Sequence, residues 1–280
     1  MSTADNIVGN SSFEREEDAD NWPDHWSKVT ESGESATYEW VDAGMFGSKA
    51  VKISDTTGWA TVASKKVSYD RSTHVASAYV KTSAADSKSF IKVEYYDSQG
   101  SFLDQKFSYG ITGTHDWTRL HLVADNAPTG TAEILVKVGV NAADTGSTYF
   151  DGIQLEKGTV VSAYNLVENS SFERDSDGND IPDNWTTSGN LSTNDEIDTT
   201  EVYVGNNSFK LTGESQKDKF IKQHIDISGD STTKLTLSGW SKQSDADPNG
   251  GNYLLQVAIN NSDGTTDWSN AHDFSKTKSG

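Results

Sequence analysis

Asn6-Ile-Val-Gly-Asn-Ser-Ser-Phe-Glu-Arg15 returns almost letter for letter as Asn165-Leu-Val-Glu-Asn-Ser-Ser-Phe-Glu-Arg174. From position 6 to position 165 the offset is 159 residues. That period far exceeds a solenoid or propeller unit, so each copy is expected to be a domain of its own. The correspondence continues downstream. Gly205-Asn-Asn-Ser-Phe-Lys-Leu211 answers Gly47-Ser-Lys-Ala-Val-Lys-Ile53, and Leu237-Ser-Gly-Trp-Ser-Lys242 answers Ala76-Ser-Ala-Tyr-Val-Lys81. Leu254-Leu-Gln-Val-Ala-Ile-Asn-Asn-Ser-Asp-Gly264 answers Phe90-Ile-Lys-Val-Glu-Tyr-Tyr-Asp-Ser-Gln-Gly100, which puts the counterpart of Trp117 just past Gly280. Residues 1–163 are therefore expected to form one domain. Residues 164–280 would form a second that lacks its final strands, with an incomplete core and exposed sheet edges. The join, Lys157-Gly-Thr-Val-Val-Ser-Ala163, is short, so the two should lie close together.

Short runs rich in Val, Ile, Thr, Tyr and Phe alternate apolar with polar residues between Gly, Asn, Asp and Ser clusters. Strands are predicted at 49–54, 75–81, 90–96, 117–123, 132–140 and 148–155, and no amphipathic helix is evident. The fold class is all-β: two tandem β-sandwich (jelly-roll) domains. Asn-Ser-Ser-Phe-Glu would be the first strand of each, carrying Phe13 or Phe172 into the core. Trp26 and Trp185, in the paired Pro-Asp-x-Trp, read as buried plugs.

The chain has 280 residues, no cysteine and a formal charge of −19. Without cysteine there is no disulfide framework or thiolate metal site, and a composition rich in Ser, Thr, Asn, Asp and Gly suits a bacterial exported protein. The acidity argues against nucleic-acid or anionic-membrane partners, which are bound through Lys/Arg clusters. No window approaches the roughly 20 apolar residues of a membrane span. Met1–Asp5 has neither the basic start nor the apolar core of a signal peptide, so the sequence reads as a piece of a larger exported chain, extracellular or at the cell surface.

Strand alternation points to a binding face. Ile91, Val93 and Tyr95 should face inward and leave Lys92, Glu94 and Tyr96 outside; likewise Tyr79, Lys81 and Lys137 should face out. Together these six form an aromatic and polar groove floor suited to a glycan: rings stack on the apolar side of a sugar while polar groups bond its hydroxyls. Trp240, Lys242 and Gln256 would take the same positions in the second copy. Ordinary cross-strand pairing is the alternative for such residues. Trp22, Trp40, Trp59 and Trp268 lie in or beside loops, placed to rim a site. Asp175-Ser-Asp-Gly-Asn-Asp-Ile-Pro-Asp183 sets Asp175, Asp177 and Asp180 around a glycine, as in oxygen-ligand calcium loops; a solvated acidic turn is the other reading. The first copy keeps the acids at 16–24 without the glycine.

The opening Asn-Ser-Ser-Phe-Glu, the Pro-Asp-x-Trp, the Ser-x-aromatic-x-Lys strand and the closing Tyr149-Phe-Asp-Gly-Ile-Gln-Leu-Glu156 together resemble jelly-roll carbohydrate-binding modules. The likeness is to families 4, 9, 16 and 22, arranged in tandem as in cell-wall-associated or YD-repeat surface proteins of Gram-positive bacteria. The resemblance implies a structural calcium tying the chain start to the closing motif, held by Glu14, Asp151 and carbonyls within Gly44–Val51. Two carboxylates with carbonyls and water can supply the six to eight oxygens a hard cation needs; the other reading is that Glu14 and Asp151 only accept backbone or hydroxyl hydrogen bonds at the end of the sandwich. In the second copy Glu173 matches Glu14, but no residue matches Asp151, so a site there should be weak or absent.

No nucleophile elbow, phosphate loop, zinc-protease helix or dinucleotide fingerprint occurs, and the six histidines do not cluster. The sequence is thus read as a non-enzymatic, glycan-binding segment of an exported protein. The alternative is a structural or adhesive spacer that binds no sugar.

Overall fold

The computed structural model describes residues 6–203, 205–227, 229, 233–244 and 251–274. Met1–Asp5 lies outside them. Among the described residues every helix or strand assigned is a strand. Two antiparallel sheets dominate. The six-stranded sheet runs β1 (Trp26–Thr30), β4 (Trp59–Ser64), β10 (Glu133–Asn141), β7 (Ser89–Tyr96), β8 (Phe102–Tyr109), with β5 (Val67–Ser68) also pairing with β10. The five-stranded sheet runs β2 (Thr37–Val41), β3 (Ala50–Thr56), β11 (Asp144–Lys157), β6 (His74–Ala85), β9 (Gly113–Ala124).

The fold is an all-β sandwich. Ile91, Val93, Tyr95, Val136 and Val138 from one sheet meet Ile53, Val80 and Phe150 from the other, all essentially without solvent exposure. Burying each such side chain is worth about 1.5–3 kcal/mol. The six predicted strands are all present, as β3, β6, β7, β9, β10 and β11.

Asn6–Arg15 is not a strand. It is a tight turn, with left-handed backbone at Asn10 (φ 50°) and Phe13 (φ 61°). The Asn10 side chain holds the turn: it accepts the Arg15 N–H and donates to the carbonyls of Arg15 and Asp24. The stretch still lies along β11, through Ile7 N–H to Leu155 O and Ile153 N–H to Ser11 O, both 2.8 Å. Phe13 is fully buried, edge-on to the buried Trp26 at 4.9 Å.

The same turn recurs at Asn169 (φ 50°) and Phe172 (φ 61°), where Asn169 again donates to two carbonyls, those of Arg174 and Asp183. Beyond it the strands form separate pairs: β12 (Thr186–Thr187) with β15 (Ile221–Lys222), β13 (Glu196–Asp198) with β14 (Ser208–Lys210), and β16 (Leu254–Asn260) with β17 (Thr266–Asp273). Leu237–Lys242, predicted to answer β6, is not a strand. With no partner strand beside it among the described residues, alternation alone does not hold it extended.

Candidate functional site

The outer face of the six-stranded sheet carries a row of rings. Residues of β7, β8 and β10 that share this face are set by register: Lys92 lies opposite Phe107 and Lys137, and Phe90 opposite Tyr109 and Gly139. Trp59, at the start of β4, packs on Phe90 at 5.2 Å and Phe107 at 5.9 Å, and Phe107 stacks with Tyr109 at 6.0 Å. Farther along, Tyr96 meets Phe102 edge-on at 6.0 Å. Tyr109 and Phe102 are about half exposed, which leaves ring faces toward solvent.

Between the two groups of rings sits a polar centre. Glu94 Oε1 receives Lys92 Nζ at 2.8 Å and Lys137 Nζ at 3.0 Å; Oε2 lies 2.8 Å from Lys137 Nζ and accepts the Tyr96 hydroxyl at 2.5 Å. Burial raises the Glu94 pKa, but the bonds from Lys137, Lys92 and Tyr96 outweigh it and hold the carboxyl below the ordinary glutamate value. The same carboxylate helps push the Tyr96 hydroxyl above its usual range, behind burial as the larger cause. Lys92, Glu94, Tyr96 and Lys137 are therefore one constellation, as alternation predicted.

Tyr79 and Lys81 are not part of it. They lie on β6, in the other sheet, so the single groove floor expected from sequence is split between the two sides of the sandwich. Alternation reports inward or outward for each strand but not which sheet the strand joins. On the far side Tyr79 is covered: Phe46 packs edge-on at 5.0 Å, Tyr164 stacks on Phe46 at 4.3 Å, and the Arg119 guanidinium sits over the Tyr79 ring. Arg119 also donates to Ser162 O, so this face anchors the join between the two regions. Lys81 lies 3.8 Å from Asp116.

The residues predicted from the second copy do not converge either. Trp240 is 77% exposed beside Tyr203, Lys242 pairs with Glu201, and Gln256 donates to Trp268 O from β16. Phe102, Phe107 and Tyr109 were missed because β8 was not recognised as a strand. The alternate spacing of Phe107 and Tyr109 was the available signal.

The Glu14 and Asp151 carboxylates are both clasped by the loop 42–49. A bulge in β11 after Asp151, with Gly152 at φ 57°, seats Asp151 on the outer side of its sheet with no exposure. Asp151 Oδ2 accepts the Met45 and Phe46 N–H groups at 2.7 and 2.8 Å, and Oδ1 that of Gly152 at 2.6 Å. Glu14 accepts from Ser48 and Lys49 N–H. Burial pushes the Asp151 pKa up to about 8, and the nearby Glu14 charge adds to the rise. A divalent cation would relieve that repulsion, and in this sense the donor set fits one; the amide donors already in place compete for the same lone pairs. Glu173 repeats the arrangement of Glu14, accepting Asn206 and Asn207 N–H, with no partner like Asp151 among the described residues.

In the acidic loop Asp175 and Asp177 come within reach of a common ion together with Asp183, not with Asp180. Left-handed backbone at Asp180 (φ 62°) turns the chain there, and its N–H donates to Asp175. Glu16, Asp18 and Asp20 make the matching cluster in the first copy.

These features define a β-sandwich with one capped face and one open, ring-lined face. No protein-family profile matches the chain. A segment of the tRNA nuclease WapA of Bacillus subtilis (strain 168) is 28% identical over 290 residues, covering 97% of this chain and 12% of that protein. The tRNA(Glu)-specific nuclease WapA of Bacillus subtilis subsp. natto (strain BEST195) is 29% identical, again over 97% of this chain and 12% of its own length. The chain thus spans about an eighth of the curated relatives it matches. Among solved structures, a family 16 carbohydrate-binding module is similar at 23% identity and TM-score 0.38, covering 54% of this chain and 99% of that one. The CBM22-1 xylan-binding domain of Paenibacillus barcinonensis Xyn10C is similar at 17% identity and TM-score 0.38, covering 54% and 94%.

Two expectations are corrected by these relatives. The sequence was read as non-enzymatic and without a nucleic-acid partner, whereas the proteins matching nearly all of it are named tRNA nucleases. Both exclusions rested on missing motifs and net charge, read from a chain that covers 12% of those relatives. Among the described residues no helix is long and apolar enough to cross a membrane.

Proposed function

We propose that this chain is a glycan-binding segment, built from two tandem copies of one module (1–163 and 164–280), of a longer exported protein whose overall activity is that of a tRNA nuclease. The observation that carries the glycan reading is the open face: Trp59, Phe107 and Tyr109 present rings beside the Lys92–Glu94–Lys137 centre, the combination by which proteins hold sugars. The nuclease reading rests on the printed names of the relatives and concerns the whole protein.

Retention of the chain on a panel of immobilised polysaccharides tests the glycan reading. Trp59→Ala and Tyr109→Ala should lose retention, while Tyr79→Ala, on the capped side, should keep it. No retention on any polymer would leave the spacer role in its place. Degradation of tRNA by the product of the whole gene tests the second part, and a stable tRNA pool in that assay would remove it.

A calcium ion held by Glu14 and Asp151 is proposed as the structural tie of the first module. It would join the turn at the chain start to the bulge in β11. A thermal melt unchanged by a chelator would eliminate that role.

A further inference from the structure

The acceptors at the centre of the open face are already engaged by its lysines: besides Glu94, the Gln105 amide oxygen accepts from Lys92 at 3.3 Å. Two contacts fall on each Glu94 oxygen, from Lys92, Lys137 and Tyr96, which uses the lone-pair capacity of an ionised carboxylate. Two ammoniums share this single negative charge, and the Lys92 and Lys137 side chains are only 12% and 14% exposed. One positive charge is therefore held at the centre of the row, partly withdrawn from water. A charge in that position is costly unless an anion completes it.

The surroundings keep the same sign. Lys66 stands 3.7 Å over the Tyr96 ring and Lys88 6.0 Å from Tyr109, against one further carboxylate, Glu133, 3.4 Å from Lys66. In a chain of net charge −19 this face is locally cationic.

We infer that the open face selects glycans bearing isolated anionic groups, carboxylate or phosphate, over their neutral counterparts. This rests on the glycan reading above and narrows it. The anion would accept from Lys92 and Lys137 while neighbouring sugar rings stack on Phe107, Trp59 and Tyr109. A charge-assisted bond of this kind is stronger than one to a neutral hydroxyl. A nucleic acid is less well matched: it carries a charge at every nucleotide and needs a basic groove that follows its backbone, whereas these four lysines are interrupted by Glu94 and Glu133 and form no continuous basic track.

Affinity electrophoresis of the full chain tests this with glucuronoxylan, the same polymer with its carboxyls reduced, phosphomannan, dephosphorylated mannan, and tRNA. At least one acidic polymer should be retained about tenfold more strongly than its neutral form, the effect of one charge-assisted bond; which pair shows it separates carboxylate from phosphate. Lys137→Met should erase the preference, so that acidic and neutral forms are retained alike. Glu94→Gln, which frees a positive charge, should enlarge it, with the thermal melt of each variant confirming that it is folded. Equal retention of acidic and neutral forms overturns the selectivity and leaves glycan binding standing. Retention of no polymer fails the glycan reading itself. Stronger, Lys137-dependent retention of tRNA than of any polymer assigns the face to nucleic acid and overturns the inference.

Discussion

The two halves of this molecule begin with the same turn and end in different states. In the first, β10 lies in the middle of one sheet, between β4 and β7, and β11 in the middle of the other, between β3 and β6. In the second, the described strands are three isolated pairs. β12 with β15, β13 with β14 and β16 with β17 occupy the chain positions that answer β1 with β4, β2 with β3 and β7 with β8. The pairs that survive are those formed without β9, β10 or β11. Leu211, Phe220, Leu235, Leu237 and Trp268 are correspondingly exposed, by 41–63%. Local hairpin pairing is specified by nearby sequence, but a core closes only when the central strands join the pairs.

The largest expected effect tests this contrast directly. Phe13→Ala removes a fully buried ring and should cost about 3–5 kcal/mol in urea unfolding. Phe172→Ala, at the same place in the second turn, removes a ring that is only partly buried and packs on Trp185 and Phe209. Its cost should be about 1 kcal/mol or less. Equal costs would mean that the second half closes a core of its own.

Next comes the carboxylate that only the first half has. The folded pKa of Asp151 is raised to about 8 from the ordinary aspartate value of 3.8. Its contribution is therefore fully present below pH 3.8, where both states bind the proton. That contribution is lost progressively as the pH rises from 3.8 to about 8, because in this range the folded state still binds a proton that the unfolded state has released. With a chelator present, stability should fall between pH 5 and pH 8 by about 4 kcal/mol. Added calcium should flatten the slope, and Asp151→Asn should abolish it. A slope indifferent to both would separate Asp151 from any cation.

Much of the first half was legible in the sequence, and the reasons are local. Ile91, Val93 and Tyr95 alternate with Lys92, Glu94 and Tyr96, so both the core side of β7 and the polar centre outside it follow from a period of two. The assignment of Tyr79 to the same floor failed because sheet membership depends on long-range pairing, here of β6 with β11 and β9. The opening turn was misread as a strand because its Ser-Ser-Phe run looks extended until the Asn10 side chain is seen to bond across it. The bulge that seats Asp151 was invisible for a related reason: its glycine reads as an ordinary interruption of a strand.

A smaller effect concerns the seam between the halves. Glu168 accepts Arg15 Nη2 at 2.7 Å, the Ser11 N–H at 3.2 Å and Asn184 Nδ2 at 2.8 Å, and Ser11 Oγ is 2.6 Å from the Tyr164 hydroxyl. The first half thus holds the start of the second. Arg15→Ala should cost about 1 kcal/mol, since Arg15 is one-third exposed at the side chain. Limited proteolysis should then quicken within residues 164–274 and not within the first half. Cleavage quickening equally in both halves would show that Arg15 supports the first core rather than the seam.

The smallest structural effect is expected at the most exposed tryptophan, and it separates exposure from function. Trp240 is 77% exposed with only the Tyr203 ring at 4.3 Å, and the strand that should carry it in the repeat is not formed. Trp240→Ala should change stability by less than about 0.5 kcal/mol. It should also leave polysaccharide retention intact, because Trp240 stands outside the sheet face that carries the Lys92–Glu94–Lys137 centre. Trp59→Ala is the matched case in the first half: its ring is fixed by Phe90 and Phe107 beside the Lys92–Glu94–Lys137 centre. Retention there should fall about tenfold or more, in line with the loss of one stacked ring. Isothermal titration of both variants against one retained polymer reads the difference. Loss at Trp240 rather than Trp59 would move the binding site to the half whose core is open.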